Sequence, residues 1–156
     1  MSGQLRVRDV MTESVVTAPP GATLEELARL MLDAKVGSVV IVDGGTAVGM
    51  VTERDFEVGD EPIPFTLFRW PRVLGKYVWS ERSLEDVYER ARERTAESVM
   101  SRPLITVDAD ALLWEAVELM VDNDVKRLPA VREGRLAGIV SRHDLLKCLL
   151  AEAKSA

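Results

Sequence analysis

The chain has 156 residues, of which 47% are hydrophobic and 29% charged, and its formal net charge is −6. This composition is typical of a soluble globular protein. The longest apolar runs are too short to cross a bilayer, and the acidic balance argues against nonspecific nucleic-acid binding. The N-terminus lacks the apolar stretch of a secretory signal, so we expect a cytoplasmic protein. One cysteine and one histidine exclude an internal disulfide and a zinc site of the usual kind.

Residues 1–56 predict five elements in the order strand, helix, strand, strand, helix. A capping box formed by Thr23 and Glu26 marks the start of the first helix, and apolar residues follow it at helical spacing. The sequence Asp43-Gly44-Gly45 is a hairpin-turn signal between two β-branched runs. The predicted elements are a strand at 15–17, a helix from Leu24, strands at 39–42 and 47–51, and a closing helix from near Thr52.

Residues 57–97 interrupt the pattern with an insertion that holds most of the aromatic residues of the chain. Ser83 and Asp86 form a helix-start pattern, which predicts a helix at about 84–94. Aromatic side chains at this density need a covering surface. Three remain open: the core of the protein itself, a subunit interface, and a docking site for another protein. The aromatic residues are Phe65, Phe68, Trp70, Tyr77, Trp79 and Tyr88.

Residues 98–156 repeat the first pattern with a constant step of 89 residues, which separates, for example, Asp55 from Asp144. The helix of this repeat lacks the capping threonine, because Leu112 occupies its place, and Asp110 is the alternative cap. The predicted elements are a strand at 104–106, a helix from Leu113, strands at 128–131 and 136–140, and a closing helix from near Ser141.

One repeat of roughly fifty residues buries too little apolar surface to be secure alone. We therefore predict an α+β module in which two βαββα repeats pack sheet-to-sheet with pseudo-two-fold symmetry. This arrangement joins the open apolar face of each sheet into one core. The same symmetry creates two equivalent clefts between the repeats.

Two four-residue sequences could carry binding chemistry: Thr52-Glu53-Arg54-Asp55 and Ser141-Arg142-His143-Asp144. In a structural interpretation, each is a capping box whose hydroxyl and acid serve only the start of a helix. In a functional interpretation, the helix start attracts phosphate, and the carboxylate accepts both hydroxyls of a ribose. The physical chemistry of these residues alone does not favour either interpretation.

The repeat resembles the cystathionine-β-synthase (CBS) domain, and the chain resembles a tandem pair of such domains, a Bateman module. The resemblance rests on a Val-Met opening, a Val-Thr strand, a closing Gly-x-x-Thr/Ser-x-x-Asp motif in both repeats, and Lys126-Arg127-Leu128-Pro129. It covers about Val7–Phe56 and Ala96–Leu149. On this basis residues 1–56 and 98–156 are the two CBS repeats of one integrated module.

The resemblance implies a regulatory, energy-sensing protein that binds an adenosine-type ligand, such as AMP, ADP, ATP or S-adenosylmethionine, and signals to a partner. Asp55 and Asp144 would hold ribose, while the hydroxyls three residues earlier would meet phosphate or ribose oxygens. Each cleft would take its base wall from one repeat and its acid from the other. One cleft would join Thr17, Gly37 and Ser38 to Ser141, His143 and Asp144; the other would join Thr106, Lys126, Arg127 and Pro129 to Thr52, Arg54 and Asp55.

The charges of these residues predict a difference between the two clefts. Lys126, Arg127 and Arg54 are available for phosphate only in the Asp55 cleft, and charge-assisted contacts to phosphate are strong. We therefore expect a nucleotide di- or triphosphate in that cleft. The Asp144 cleft is expected to be empty or to take a less charged adenosyl ligand.

No catalytic pattern accompanies these motifs in the sequence: there is no Walker loop, acid pair with metal-like spacing, or activated nucleophile. We therefore expect no enzymatic activity, no metal and no cofactor other than the ligand. The resemblance implies a homodimer with a separate regulated protein, and apolar positions near the closing helices (Phe56, Leu145 and Leu149) are the expected dimer surface. The alternative is a structural dimerisation or docking module whose clefts are vestigial.

Overall fold

The chain divides into two compact units, and the computed structural model describes residues 5–58, 61–62 and 92–155. Unit A comprises Val16–Asp43 and Val48–Ser101, and unit B comprises Met1–Val15, Gly44–Ala47 and Arg102–Ala156. The helices in chain order are α1 (Val7–Val10), α2 (Leu24–Ala34), a 3-10 helix (Glu53–Phe56), α3 (Ala96–Val99), α4 (Leu113–Asp122) and α5 (Arg142–Ser155). The strands are β1 (Thr17–Ala18), β2 (Ser38–Asp43), β3 (Thr46–Thr52), β4 (Glu57–Val58), β5 (Glu61–Pro62), β6 (Val107–Asp108), β7 (Arg127–Arg132) and β8 (Arg135–Ser141).

Unit A is built on the three-stranded sheet β1-β2-β3, in which β1 runs parallel to β2. Helix α2 begins at a complete capping box. The Glu26 N–H donates to Thr23 Oγ1 over 3.2 Å, and the Thr23 N–H donates to Glu26 Oε2 over 2.9 Å. The buried residues of α2 share one face at helical spacing and pack with the strands into one core. Its fully buried side chains include Leu24, Leu27, Met31, Val39, Ile41 and Val51.

Unit B repeats this design with the sheet β6-β7-β8, in which β6 is parallel and β8 antiparallel to β7. Helix α4 buries Ala116 and Met120 in the core of the unit. Its N-terminus differs from that of α2, since the N-cap is Leu112 and offers no side-chain acceptor. The Leu112 N–H donates to Glu115 Oε2 over 2.6 Å, and the Leu113 N–H donates to a backbone carbonyl of the N-terminal segment over 2.8 Å.

Asp110 does not cap α4, so the alternative cap expected from the sequence is not formed. Its carboxylate makes an ion pair with Arg8, and it lies 3.6 Å from the guanidinium of Arg132. The backbone carbonyl of Asp110 accepts a hydrogen bond from Arg6. Because three arginines surround it, Asp110 ties the N-terminal segment to the sheet of unit B.

Each repeat contributes its opening segment to the other unit. Helix α1 precedes the first repeat's sheet in sequence but lies in unit B, where Val7 is fully buried. Helix α3 precedes the second repeat's sheet but lies in unit A, where Ala96 is fully buried. After α1, the Thr12 N–H donates to the Ile139 carbonyl over 2.8 Å, and the Ile139 N–H donates back to the Thr12 carbonyl over 2.9 Å. The units in space therefore differ from the repeats in sequence.

A methionine packs over a glycine where each exchanged segment meets the third strand of its unit. In unit B, a Cβ on Gly138 would lie 2.6 Å from the Met11 sulphur and 2.9 Å from the Thr12 carbonyl oxygen. In unit A, a Cβ on Gly49 would overlap the Met100 side chain. Only glycine allows this close approach. This explains why the Val-Met opening and the glycine of the closing motif occur together in both repeats.

The predicted α+β class and the repeated order of elements are confirmed, but the two closing helices differ. The second is α5, with 14 residues, as predicted. The first is only a four-residue 3-10 helix, followed by strand β4. Gly59 and Pro62 come soon after it and oppose a helix, whereas residues 145–155 contain neither residue type. The insertion's aromatic residues and residues 84–91 of its predicted helix lie outside the described residues; Arg92 and Glu93 are helical.

Candidate functional site

The first candidate turn follows β3 in unit A and is closed by the carboxylate of Asp55. Asp55 Oδ2 accepts from the Thr52 N–H over 2.8 Å and lies 3.5 Å from the Thr52 hydroxyl oxygen. Burial raises the pKa of Asp55 above its ordinary value of 3.8; the hydrogen bonds from Thr52 and the charge of Arg54 oppose this rise without cancelling it. The turn thus holds a half-buried carboxylate in a fixed position.

The second candidate turn follows β8 in unit B and forms a complete capping box at the start of α5. Asp144 Oδ2 accepts from the Ser141 N–H and from the Ser141 hydroxyl, each over 2.8 Å. The Ser141 Oγ accepts in turn from the Asp144 N–H over 3.3 Å. These three hydrogen bonds give the motif a structural role at this helix start.

The two oxygens of each carboxylate have different roles in the turn. Within the described part of the chain, the side-chain hydrogen bonds of Asp55 and Asp144 all go to Oδ2, and neither Oδ1 takes part in one. An ionised carboxylate can accept several hydrogen bonds through its two oxygens. The turns are therefore capping devices that also present a positioned acceptor, the group that ribose hydroxyls require.

In unit A, the start of β2 lies beside the first turn. The Glu53 N–H donates to the Gly37 carbonyl over 3.3 Å, and the next residue, Ser38, is buried. Thr17 is exposed at the start of β1, which pairs with β2. Unit A thus contains six of the predicted site residues, and its backbone brings Gly37 and the first turn together: the six are Thr17, Gly37, Ser38, Thr52, Arg54 and Asp55.

In unit B, the start of β7 lies beside the second turn in the same way. The Arg142 N–H donates to the Lys126 carbonyl over 2.9 Å, and Arg127 pairs with Ser141 across the ladder. Pro129 is fully buried in β7. Unit B thus contains the remaining predicted site residues: the half-buried Thr106, Arg127, Ser141 and Asp144, the exposed Lys126 and His143, and the buried Pro129.

The structure groups the predicted residues by unit, whereas each predicted cleft takes residues from both units. Gly37 and Ser38, which the sequence assigns to the Asp144 cleft, neighbour the Asp55 turn within unit A. Lys126, assigned to the Asp55 cleft, neighbours the second turn within unit B. The composition of the two clefts stays a prediction.

The packing of the exchanged segments against the strands that lead to the two turns is not among the features predicted from the sequence. The sequence contains a signal that a methionine packs on a glycine, although not on the glycine of which repeat: Asp9-Val10-Met11-Thr12 recurs as Ser98-Val99-Met100-Ser101 with the same step that relates Gly49 to Gly138. A large side chain and a glycine that recur together indicate a side chain packed on a backbone. Contact between Met11 and Gly138 supports the position of the strand that ends at Ser141.

Among the residues described, no group of three or more His, Cys, Asp or Glu side chains could hold a metal ion. None of the helices in the same part of the chain is long and apolar enough to cross a membrane.

The family model of the CBS domain matches residues 7–56 and 96–151. Among solved structures, the CBS domain of a CBS domain containing membrane protein from Sphaerobacter thermophilus is 34% identical, with a TM-score of 0.78. The comparison covers 92% of this chain and 87% of that chain. An uncharacterized protein of Methanopyrus kandleri is 34% identical over 90% of this chain, and the match spans 61% of that relative's own length.

A second solved structure shows the same fold at lower identity. The CBS domain pair of protein MJ0100, in complex with 5′-methylthioadenosine and S-adenosyl-L-methionine, is 19% identical with a TM-score of 0.68. The comparison covers 95% of this chain and 98% of that chain. At this identity the likeness shows the fold alone.

Proposed function

The chain belongs to the CBS domain family as a tandem CBS pair, and we propose that it is a regulatory module that binds adenosine-type ligands. The observation that carries the proposal is the duplicated Thr/Ser-x-x-Asp turn. Each turn holds one carboxylate oxygen by a backbone N–H and leaves the other without a hydrogen bond in the described structure. The CBS domain pair of MJ0100, which shares the fold, was crystallised with two adenosyl compounds, and we propose the same ligand class here.

Asp55 and Asp144 are proposed to hold the ribose hydroxyls. Each carboxylate is half-buried, so a hydrogen bond to it is less weakened by competing water than one on the open surface. Each is also fixed by its own turn, so little side-chain entropy is lost when a ribose binds. Thr52 and Ser141 are proposed to meet phosphate or ribose oxygens beside them.

We propose that the cations of each site, and not the helix start, determine which site binds the more highly phosphorylated ligand. The 14-residue α5 is a better helix start than the 3-10 helix, but a helix N-terminus acts as only about half an elementary charge. The three cations that the sequence assigns to the Asp55 site carry full charges: Lys126, Arg127 and Arg54. We therefore propose that AMP, ADP or ATP prefers the Asp55 site and that a less charged ligand such as S-adenosylmethionine suits the Asp144 site.

The module is proposed to act on a separate protein, to assemble as a homodimer, and to lack enzymatic activity. Catalysis needs an activated nucleophile placed against the ligand, and the sequence shows no recognisable pattern of that kind at the two turns. His143 is exposed on the first turn of α5 and is the single histidine of the chain, so no histidine pair is present in it. Steady hydrolysis of ATP with magnesium by the purified chain would contradict this part of the proposal.

A thermal-shift screen with adenosine, AMP, ADP, ATP and S-adenosylmethionine tests the ligand class. A ligand that binds only the folded state stabilises it by about 2.7 kcal/mol at about 100 times its Kd. We expect at least one compound to raise the Tm. We expect 2′,3′-dideoxyadenosine, which lacks the 2′ and 3′ hydroxyls of the ribose, to have no effect. If no compound raises the Tm, the proposal fails and the structural docking module becomes the better interpretation.

Isothermal titration calorimetry on Asp55→Ala and Asp144→Ala tests the assignment of the two sites. We expect Asp55→Ala to remove most ATP binding and Asp144→Ala to remove most S-adenosylmethionine binding. Asp33→Ala is a matched control, since Asp33 is an exposed acid on α2 that belongs to neither turn. Equal losses of both ligands in the two site variants would remove the asymmetry and leave the ligand class intact.

A further inference from the structure

Arg142 places a cation inside the Asp144 turn, the site that is proposed above to take the less charged ligand. It directly follows Ser141, which is proposed to meet phosphate or ribose oxygens, and its side chain is 48% exposed. A guanidinium at this position attracts phosphate. A preference of this site for a less charged ligand therefore requires a second charge that offsets Arg142.

Asp124 supplies such a charge from the corner between α4 and β7. Its Oδ1 lies 4.0 Å from Nη2 of Arg142, and among the described residues it is the only acid that pairs with the Arg142 side chain. The Arg142 N–H donates to the Lys126 carbonyl over 2.9 Å, and the Val125 N–H donates to the Met120 carbonyl over 3.0 Å. The backbone therefore holds the corner and the turn side by side without help from the ion pair.

The equivalent corner of unit A carries the opposite charge. Lys35 lies 89 residues before Asp124 and has the same left-handed backbone, with φ of 54° against 50°. Glu53 lies 89 residues before Arg142, and its N–H donates to the carbonyl just before β2 as that of Arg142 does just before β7. Each turn thus carries a charge after its hydroxyl residue, and each corner carries the opposite charge. The arrangement occurs twice with both signs reversed, which indicates that the opposition of charges matters more than the particular side chains.

We propose that Asp124 determines the ligand charge preference of the Asp144 site by neutralising Arg142. While the pair is formed, the turn presents little net positive charge, so a ligand of low charge is not at a disadvantage. When the pair is broken, the Arg142 guanidinium is free to make a charge-assisted contact to a phosphate beside Ser141. Asp124 acts through Arg142 and does not touch the ligand. Its role rests on the adenosine-type ligand class proposed above.

Isothermal titration calorimetry in an Asp55→Ala background tests this role, because that background leaves the Asp144 turn as the proposed ligand site. The probes are ATP and adenosine, which share base and ribose and differ in the phosphates. We expect Asp124→Asn to tighten ATP binding about twofold to fivefold at low ionic strength, the range of one surface ion pair, and to leave adenosine binding unchanged. The Asp124 side chain is 91% exposed, so the gain should shrink as salt is added. Asparagine is tolerated in left-handed backbone, so the corner should keep its shape.

Arg142→Gln shows whether the effect passes through the ion pair. Once Arg142 is replaced, Asp124→Asn should have no further effect on ATP binding, whereas a general change of surface charge acts in both backgrounds. Asp122→Asn is the matched control, since it removes the same charge from an exposed acid two residues earlier that makes no ion pair in the described part of the chain. It should leave ATP binding close to that of the background.

The outcomes separate this role from the ligand class itself. A parent chain that binds neither probe overturns both. A parent that binds ATP but loses both probes in the Asp55→Ala background overturns only the role of Asp124, because the Asp144 site then takes no ligand. Unchanged ATP binding in Asp124→Asn, or equal changes for ATP and adenosine, also overturns only this role, and the ion pair then serves the fold alone.

Discussion

Units A and B have the same architecture but use the same motif differently. In unit B, the Ser141–Asp144 turn starts a 14-residue helix and makes three side-chain hydrogen bonds. In unit A, the turn at Thr52 starts only a four-residue 3-10 helix, and the threonine hydroxyl lies 3.5 Å from the carboxylate. The motif therefore has the larger structural role in unit B.

The difference between the two turns bears on why Asp55 is present in unit A. Its carboxylate caps very little helix, and burial raises its pKa, which means that the folded chain bears a desolvation cost for the charged form. A residue that contributes little to the fold and is costly to charge is better explained by a function. Asp144 can be explained by capping, so Asp55 is the stronger evidence for a ligand site.

The largest expected effect is the loss of stability when alanine replaces a glycine under an exchanged segment. We expect this loss to differ between the two glycines. Gly138→Ala would place a Cβ against both the Met11 side chain and the backbone carbonyl of Thr12. Gly49→Ala would meet only the flexible Met100 side chain. Overpacking of this kind costs about 1–3 kcal/mol, and we expect Gly138→Ala near the upper end and Gly49→Ala near the lower end in urea denaturation.

Double variants sharpen this contrast. Trimming the methionine in Met100→Ala/Gly49→Ala should remove the clash, so the two changes together should cost clearly less than their sum. Met11→Ala/Gly138→Ala should be rescued only in part, since the Thr12 carbonyl stays in place. Additive effects in both pairs would show that the methionines do not pack on the glycines in solution.

The next effect concerns the two capping turns. Asp144→Ala removes the acceptor of two hydrogen bonds at the start of α5 and should cost about 1–2 kcal/mol. Asp55→Ala should cost about 0.5 kcal/mol or less, because the helix behind it is short and a desolvated charge is removed. Chemical denaturation without ligand measures both values. Equal losses would mean that the two turns carry the same structural weight.

The raised pKa of Asp55, in unit A, predicts that the free energy of unfolding depends on pH. The folded chain binds the Asp55 proton more tightly than the unfolded chain, whose pKa is near 3.8. This contribution to stability is fully present below pH 3.8 and is lost as the pH rises through the higher folded pKa. The parent should therefore gain stability relative to Asp55→Asn as the pH falls through this window. A constant difference between parent and variant across urea titrations at several pH values would contradict the prediction.

Much of the fold follows from local patterns in the sequence. The Thr23–Glu26 capping box and the spacing of Leu24, Leu27 and Met31 determine where α2 begins and which face it buries. The first closing helix starts near Thr52 as predicted, but it is only a four-residue 3-10 helix, because a capping box can start a helix but cannot extend one toward Gly59. Local patterns thus predict where elements begin better than where they end.

The exchange of α1 and α3 could not be predicted from the repeat. A constant step of 89 residues relates the two copies equally well whether each opening segment packs on its own sheet or on the other. The candidate site, like the fold, could be predicted from the sequence only in part. The motif identifies Asp55 and Asp144, but which carboxylate oxygen the turn occupies depends on side-chain geometry that the spacing does not contain.

The smallest expected gain in stability lies at the start of α4, and the start of α2 provides the comparison. Thr23→Leu removes the hydroxyl that accepts from Glu26 and should cost about 1 kcal/mol. Leu112→Thr supplies the missing hydroxyl to α4 but removes a half-buried leucine side chain, so the net gain should be only about 0.5 kcal/mol or less. Both follow from urea denaturation at neutral pH. If Leu112→Thr destabilises the chain as much as Thr23→Leu does, then Leu112 is retained for its packing, and the two helix starts differ in kind and not only in capping.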